Sequence, residues 1–271
     1  MDMKRMPAVA GRFYKGSKAL LTKEIESLTT EKEPQKKENA LGIICPHAGL
    51  VYSGAVAGAV YSKIEFPETI ILLGPNHTGM GDAISIMTEG QWEIPTQTFN
   101  IDTPLAQTIV NSSPLFKDGT IAHLYEHSIE VQLPFIARFS SNVKIVPITI
   151  IHASLKECKE AGSALSSAIK QSAKKIVIAA STDMSHYLSD KQARIKDKMA
   201  IDKILTLDPE GLYNIVISEK ISMCGYIPTA IMLYAVKALG AKETIEVKYT
   251  TSAEVSGDYN HVVGYFGAII K

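Results

Sequence analysis

Continuous apolar runs alternate with polar, helix-like segments along much of the chain. The runs cover residues 40–45, 69–73, 143–148 and 175–180. Strands that are buried on both faces of a parallel sheet have this unbroken apolar character, whereas strands with one wet face alternate apolar and polar residues. The runs therefore predict central strands of a largely parallel sheet.

The segments between and after these runs have helical composition, and Ser154 precedes one of them as a plausible N-cap. Strands that alternate with helices favour an α/β fold. Neither a repeat nor a linker rich in Pro, Gly or Ser divides the chain, so we expect one domain over residues 1–271. The predicted helices are 53–62, 102–111, 126–139, 154–171, 189–207, 209–218 and 228–239, and the predicted closing strands are 244–251 and 261–270.

The composition is that of an ordinary globular protein. Of the 271 residues, 46% are hydrophobic and 21% are charged, which is enough apolar material for a full core. Lys plus Arg and Asp plus Glu number 28 each, so the net charge is zero. Domains that hold nucleic acid through its phosphates are usually strongly basic, so we expect no nucleic-acid partner.

The compartment is predicted from the N-terminus and from the cysteines. No apolar stretch follows the cationic residues of positions 1–16, so neither a signal peptide nor a membrane anchor is predicted. Only Cys45, Cys158 and Cys224 are present, which is too few and an odd number for a disulfide framework. We expect a cytoplasmic protein.

Polar clusters follow three of the predicted strands, and each contains a histidine. They are Cys45-Pro-His47-Ala-Gly49, Gly74-Pro-Asn-His77-Thr-Gly79 and Ser181-Thr-Asp-Met-Ser-His186-Tyr187. A single histidine at a strand end is about as often a hydrogen-bonded structural residue as a ligand. Loops at the carboxyl ends of parallel strands converge, however, so three histidines in this position predict a shared functional site.

Cys224 lies just before the predicted helix at Pro228, where the helix N-terminus would favour a thiolate. The alternative is a buried, unreactive thiol, which is also our interpretation of Cys45 and Cys158. The residues alone leave both alternatives open.

A competing metal motif is His123-Leu-Tyr-Glu126-His127, which matches the H-x-x-E-H pattern of inverzincin peptidases. Five residues are a weak match. The alternative is a purely structural role at the start of a helix. Glu126 would then interact favourably with the helix dipole, and His127 and Glu130 would share one face.

The chain resembles the Memo family, also called the AmmeMemoRadiSam system protein B group, in six blocks. They occur in the expected order from residue 7 to about residue 228. The blocks are Pro7-Ala-Val-Ala-Gly-Arg-Phe-Tyr14, Pro46-His-Ala-Gly49 with Tyr52-Ser-Gly54, Gly74-Pro-Asn-His77, Glu126-His-Ser-Ile-Glu-Val-Gln-Leu-Pro134, Ser181-Thr-Asp-Met-Ser-His-Tyr187 and Cys224-Gly225.

The resemblance implies a fold like that of the class III extradiol (LigB-type) dioxygenases. This would be a single-domain α/β sandwich whose largely parallel central sheet is flanked by helices. His47 and His77 would take the places of the two histidine ligands, and Cys224 would stand where the dioxygenases have a glutamate. His186 would correspond to the acid/base histidine, and Asp183 and His127 would line the same pocket.

The thiolate separates this chain from the dioxygenases. Two histidines and a carboxylate suit Fe(II), whereas two histidines and a cysteine also accept copper or zinc. The resemblance therefore implies iron or copper, with zinc as a further possibility, and AMMECR1-like and radical S-adenosylmethionine proteins as partners. Two functions stay open: a metal-dependent oxidoreductase, and a non-catalytic adaptor that binds a metal, a small molecule or a peptide in the pocket.

Overall fold

Twelve strands and nine α-helices form within residues 3–29 and 36–271, which this computed structural model describes. Residues 1–2 and 30–35 of the predicted domain lie outside the described residues. The strands are β1 Lys4–Arg5, β2 Gly42–Cys45, β3 Thr69–Pro75, β4 Ile84–Ile86, β5 Gln91–Ile94, β6 Gln97–Asn100, β7 Lys117–Asp118, β8 Lys144–Ile150, β9 Ile176–Ser181, β10 His186–Leu188, β11 Thr244–Thr251 and β12 Val262–Ile270. The helices are α1 Lys18–Thr29, α2 Leu50–Tyr61, α3 Thr103–Ser112, α4 Leu133–Phe139, α5 Leu155–Gln171, α6 Asp190–Leu205, α7 Pro209–Ser218, α8 Tyr226–Ala238 and α9 Ala253–Ser256.

The central sheet has the order β10-β12-β2-β9-β3-β8-β4-β7, with β11 also paired to β12. Its four middle strands, β2, β9, β3 and β8, run parallel, as their continuous apolar sequences predict. Antiparallel strands extend this core on both sides, because β12 pairs with β2 and β4 pairs with β8. The predicted parallel centre is thus confirmed within a mixed sheet.

Helices cover both faces of the sheet. Gly42 of β2 faces Met232 of α8, and Gly267 of β12 faces Val56 and Val60 of α2. Gly42 pairs with Ile270, three residues from Gly267, so the two glycines point to opposite faces. The result is the α/β architecture expected from the sequence, with helical layers above and below the sheet.

The predicted helix 126–139 is wrong in its first half. A short 3-10 helix, Glu130–Gln132, precedes α4, and residues 126–129 form a loop. The Glu126 carboxylate accepts the backbone N–H groups of His127 and Ser128, at 2.9 and 2.8 Å. This local bonding replaces the helical pattern, so the interpretation of Glu126 as a helix-dipole residue is also wrong.

The helix cap at Ser154 is confirmed. Its hydroxyl accepts the N–H of Glu157 at 3.3 Å, and the Glu157 carboxylate accepts the Ser154 N–H at 2.7 Å. Two N–H groups that the helix leaves unpaired are satisfied in this reciprocal capping box. Helices α1 and α9 and the short strands β1, β4, β5, β6, β7 and β10 were not predicted.

The N-terminal segment is anchored by a buried ion pair between Arg5 and Glu130, both fully shielded from solvent. The Arg5 guanidinium also donates to the carbonyl oxygens of His123, at 3.0 Å, and Glu126, at 2.7 Å. It lies over the Trp92 ring, 4.3 Å from the centroid. Each nitrogen of the buried cation therefore has an acceptor, and an aromatic ring covers one of its faces.

Glu130 binds the segment that follows Arg5 as well. Its two carboxylate oxygens accept the N–H groups of Ala8 and Val9, at 2.8 and 3.1 Å, and the Tyr14 hydroxyl, at 2.6 Å. One carboxylate thus ties residues 5–14 to the 3-10 helix before α4.

Among the described residues, no helix has the length and apolar character that crossing a membrane requires.

We expect Glu130→Gln to destabilise the fold by about 3–5 kcal/mol, because it leaves the Arg5 charge buried without its counter-charge. Urea unfolding monitored by circular dichroism measures this loss. The control is Glu93→Gln, which breaks an exposed ion pair to the neighbouring Lys4, 2.7 Å long, and should cost under about 1 kcal/mol. Equal and small losses in the two variants would contradict the anchoring role of Glu130.

Candidate metal centre

Three loops with predicted site residues leave the same edge of the central sheet. Cys45 at the end of β2 pairs with Ser181 of β9, and Leu73 of β3 pairs with Ala180. The carboxyl ends of the three parallel strands are therefore level, and the loops that follow them begin side by side. The first two loops carry His47 and His77, and the third leads into β10, which begins at His186.

Cys224 reaches this edge from the loop between α7 and α8. The next residue, Gly225, lies so close to the end of β9 that a Cβ would collide with the Ser181 carbonyl oxygen and the Thr182 side chain. Its N–H donates to the Thr182 hydroxyl at 3.0 Å. Glycine is required at this close approach, which places the Cys224 thiol beside the histidine loops.

Potential ligand atoms of His47, His77 and Cys224 lie within 4.8 Å of one another. His47 Nε2 and Cys224 Sγ are 3.4 Å apart. Tetrahedral bonds of about 2.0–2.1 Å to nitrogen and about 2.3 Å to sulfur place two ligand atoms about 3.5 Å from each other. The spacing suits two ligands of one ion.

Buried hydrogen bonds fix the tautomer of His47. The Ser181 hydroxyl donates to the Ser128 carbonyl oxygen at 2.6 Å and accepts from the Gln132 amide at 2.9 Å. That amide also donates to the Pro46 carbonyl oxygen at 2.9 Å, so its nitrogen faces Ser181. With its proton committed, the hydroxyl can only accept from His47 Nδ1, 2.9 Å away. The Nε2 lone pair of His47 is consequently free to face Cys224.

The His47 imidazole is 2% exposed, and its pKa is well below the usual range. Burial is the main cause, followed by the charges of His127 and His77. The ring is neutral at physiological pH, as a metal-ligating imidazole must be. Its backbone N–H donates to the Asp183 carboxylate at 2.8 Å, which holds the loop in place.

His77 lies at the rim of the site, on the loop after β3. Its Nδ1 is 2.9 Å from Glu126 Oε1, and its backbone N–H donates to Glu126 Oε2. Burial acts to raise the pKa of Glu126, but the hydrogen bond and charge of His77 outweigh it and the pKa falls to about 2. A carboxylate can only accept, so the shared proton lies on His77 Nδ1, and in the neutral form of the ring Nε2 carries the lone pair.

His127 lies against both His47 and His77. Its ring stacks on His77, with centroids 4.6 Å apart, and meets His47 edge-on at 5.5 Å. Phe13 of the N-terminal segment also packs against the His127 ring, with centroids 4.7 Å apart. Burial lowers the pKa of His127. Contacts with three aromatic rings hold this imidazole in position.

The backbone of Asp183 is hydrogen-bonded to the side chain of Cys224. The Asp183 N–H donates to the Cys224 sulfur at 3.3 Å, and the thiol donates to the Asp183 carbonyl oxygen at 3.6 Å. Burial raises the pKa of both the Asp183 carboxyl and the Cys224 thiol. Asp183 thus supports both the His47 loop and Cys224.

His186 belongs to neither group of potential ligands found within residues 3–29 and 36–271. Its Nδ1 lies 2.8 Å from the Ser222 carbonyl oxygen, which can only accept, so Nδ1 carries the proton. A positive charge on this ring would lower the pKa of both His47 and Asp183. In the neutral form of the ring, Nε2 carries the lone pair.

His123 of the H-x-x-E-H pattern is directed away from this group. Its ring is completely buried and packs edge-on against Trp92, with centroids 5.7 Å apart. Neither ring nitrogen has a hydrogen-bond partner among the described residues. The part of the chain that the structure describes therefore does not assemble the peptidase pair.

A profile described as Memo-like protein matches residues 5–269. The chain belongs to the Memo family. A MEMO1 family protein of Methanopyrus kandleri is 39% identical over 99% of both chains, and one of Aquifex aeolicus is 41% identical over 98% of both. Family membership, expected from the six sequence blocks, is confirmed.

A solved structure of an uncharacterized protein from Escherichia coli K12 shares the fold of this Memo-family chain. The TM-score is 0.56 at 13% identity, and the match covers 83% of this chain and 98% of that one. At this identity the likeness concerns architecture alone.

Sequence reasoning did not identify the residues that orient the histidines by hydrogen bonds, chiefly Glu126, Gln132 and Ser181. Glu126 and Gln132 fall within the Memo block at positions 126–134, and Ser181 begins another block. The blocks were therefore a signal for these residues. Hydrophobic periodicity was not, because hydrogen-bond partners far apart in sequence leave no periodic pattern.

We expect His123→Leu to flatten the loss of stability in acid. Burial, with the charge of Arg5, lowers the pKa of His123 to about 3. A histidine in the unfolded chain has a pKa of about 6.5. Protons therefore bind the unfolded chain preferentially, and this contribution to stability, complete above the unfolded pKa, is lost as pH falls toward the folded one. The slope is at most about 1.4 kcal/mol per pH unit.

Urea unfolding from about pH 7 down to about pH 4 gives the slope of the unfolding free energy against pH, which is compared between the variant and the parent protein. At neutral pH the variant should be as stable as the parent or more so, because the leucine leaves no unpaired ring nitrogen. His152→Leu is the control, since that histidine is exposed. An unchanged acid slope in His123→Leu would contradict the argument.

Proposed function

We propose that this Memo-family chain binds one transition-metal ion through His47, His77 and Cys224 and uses it in redox chemistry on a small molecule. The observation that carries the proposal is the convergence of three lone-pair donors from three separate loops within 4.8 Å. The hydrogen bonds of His47 and His77 both use Nδ1, so both rings present Nε2. Side chains with purely structural roles have no need of this shared orientation.

The donor set fits a redox metal. Two imidazoles and one thiolate suit iron or copper and also accept zinc, and a structural zinc site would use four protein ligands. When bound, the ion would exchange electrons with a ligand held at its open coordination position. The chain would contribute three ligands and leave that position open.

His186 is the proton acceptor of the proposed site. Ser222 holds His186 by two hydrogen bonds: its carbonyl oxygen accepts from ring Nδ1 at 2.8 Å, and its hydroxyl accepts the His186 backbone N–H at 2.7 Å. Nε2 is then available to take a proton from a hydroxyl group of the small molecule. His127 and Asp183 form the adjoining walls of the pocket.

A binding role is the second candidate, and Tyr187 favours it. This tyrosine is 77% exposed beside His186 and has a φ of 60°, a left-handed conformation that is costly for a bulky residue. Strained residues and exposed aromatic side chains are both common at ligand-binding surfaces. A peptide or small molecule bound by Tyr187 would require no turnover.

We expect alanine substitution of His47, His77 or Cys224 to lower metal occupancy well below one ion per chain. Anaerobically purified protein, analysed by inductively coupled plasma mass spectrometry for iron, copper and zinc, gives the occupancy. Circular dichroism checks that each variant is folded. His186→Ala should keep its metal, because His186 lies outside the ligand group.

Two results would refute this assignment of ligands. One is unchanged occupancy in all three ligand variants. The other is loss of metal from His186→Ala that is as complete as the loss from His77→Ala, which would make His186 a ligand.

We expect a redox-active ion in the site to give an electron paramagnetic resonance signal that depends on His77. Protein loaded with Cu(II), or with Fe(II) and nitric oxide, should show the signal, and His77→Ala should lose it. His152→Ala, an exposed histidine outside the ligand groups, is the control.

A site that retains only zinc under both loadings would refute the redox proposal. Oxygen consumption with a panel of catechols then separates the two candidate functions. A tightly held redox metal without turnover would favour the binding role.

A further inference from the structure

Glu126 is a completely buried carboxylate at the edge of the pocket, and helix capping does not explain it. We infer that Glu126 is a positioning residue that holds His77 in the Nδ1–H tautomer and so directs its Nε2 into the site. The consequence for metal affinity rests on the proposed function. The tautomer of His77 does not, because it is a property of the metal-free protein.

The contacts of Glu126 are concentrated on His77 and the adjoining loop. Oε1 accepts from His77 Nδ1 at 2.9 Å and from the N–H groups of His127 and Ser128, at 2.9 and 2.8 Å. Oε2 accepts the backbone N–H of His77. The carboxylate thus binds both the ring and the main chain of His77, which fixes the ring's position as well as its protonation.

The alternative is that Glu126 is itself a metal ligand. Glu126, His77 and His127 form a second group of potential ligand atoms within 4.8 Å of one another. Four N–H groups already occupy the Glu126 oxygens, however, and a metal ion would have to displace His77 Nδ1 or buried backbone donors. Leaving those buried donors unpaired would be costly in free energy. The contacts therefore favour a Glu126 that positions His77 over a Glu126 that binds the metal itself.

His77 needs this support more than His47 does. The His77 side chain is 37% exposed, whereas His47 is enclosed by buried partners. A half-exposed imidazole can rotate and exchange tautomers through water. The charged hydrogen bond to Glu126 is stronger than a neutral one, and it selects a single tautomer.

Glu126→Gln tests the inference with little change in volume. The amide keeps one acceptor oxygen and places an NH₂ group where a carboxylate oxygen stood. If the NH₂ takes the place of Oε2, it opposes the His77 backbone N–H, which moves the ring away from the remaining acceptor oxygen and leaves both tautomers accessible. If it faces the ring, it favours the Nε2–H tautomer, which removes the lone pair from the pocket.

The control is Asp102→Asn, because Asp102 is equally buried but lies at the other end of β3. Its carboxylate binds the Thr69 hydroxyl at 2.6 Å and Lys174 Nζ at 2.6 Å. This variant also exchanges a buried carboxylate for an amide, and it leaves the pocket untouched.

Two measurements separate positioning from metal binding. Long-range ¹H–¹⁵N correlation spectra of the metal-free protein report the tautomer of His77, assigned by its absence in His77→Ala. We expect a single Nδ1–H form in the parent protein and in Asp102→Asn, and a mixed or Nε2–H form in Glu126→Gln. Competition with a chelator gives the Co²⁺ affinity, which should fall about 10–100-fold in Glu126→Gln only.

A His77 that keeps the Nδ1–H form in Glu126→Gln would overturn the inference, whatever happens to Co²⁺. An equal loss of affinity in Asp102→Asn would also overturn it, because the effect would then be a general loss of stability. If the parent protein binds no Co²⁺ and none of the iron, copper or zinc tested above, the proposed function fails, and the tautomer measurement still decides the role of Glu126.

Discussion

The parallel register of β2, β9 and β3 determines where the pocket forms. Because Cys45 lies opposite Ser181 and Leu73 opposite Ala180, the strands end at the same level. A slip of one residue would turn the side chains of a strand to the other face of the sheet. The apolar sequences of these strands, buried on both faces, make the register costly to change, and the histidine loops inherit their positions from it.

The two histidines of the proposed metal site are oriented by partners of different charge. His47 is deeply buried, and a neutral hydroxyl accepts from its Nδ1. His77, at the rim, has a carboxylate instead. A Cys224 thiolate and the Glu126 carboxylate would together offset the two positive charges of a divalent ion.

The central strands, most helices and the Ser154 cap could be predicted, because periodicity and capping are local signals. The loop at positions 126–129 could not, since its conformation depends on Glu126 bonding to His77, 49 residues earlier in the chain. Helix α1 was missed although Leu21 and Ile25 have helical spacing and are buried. The strands β4 to β7 were missed because they are only two to four residues long, too short for a periodic pattern.

The site, like the fold, could be predicted from the sequence only in part. Histidines after apolar strands predicted a shared pocket, whereas the part of Cys224 came from the family resemblance. The structure brings His47, His77 and Cys224 together. The roles of Ser181 and Gln132 could not be predicted, because they depend on which group donates in each hydrogen bond, and that follows only from the three-dimensional structure.

The N-terminal segment belongs to the pocket through the loop that carries both Glu126 and Glu130. Arg5 donates to the Glu126 carbonyl oxygen and pairs with Glu130, so one buried cation holds the two ends of this short stretch. Phe13 of the same segment packs on His127. Glu126 therefore cannot move away from His77 without disturbing the Arg5 cluster. Precise ligand geometry needs such rigid support, and here it comes from residues more than 110 positions away in the sequence.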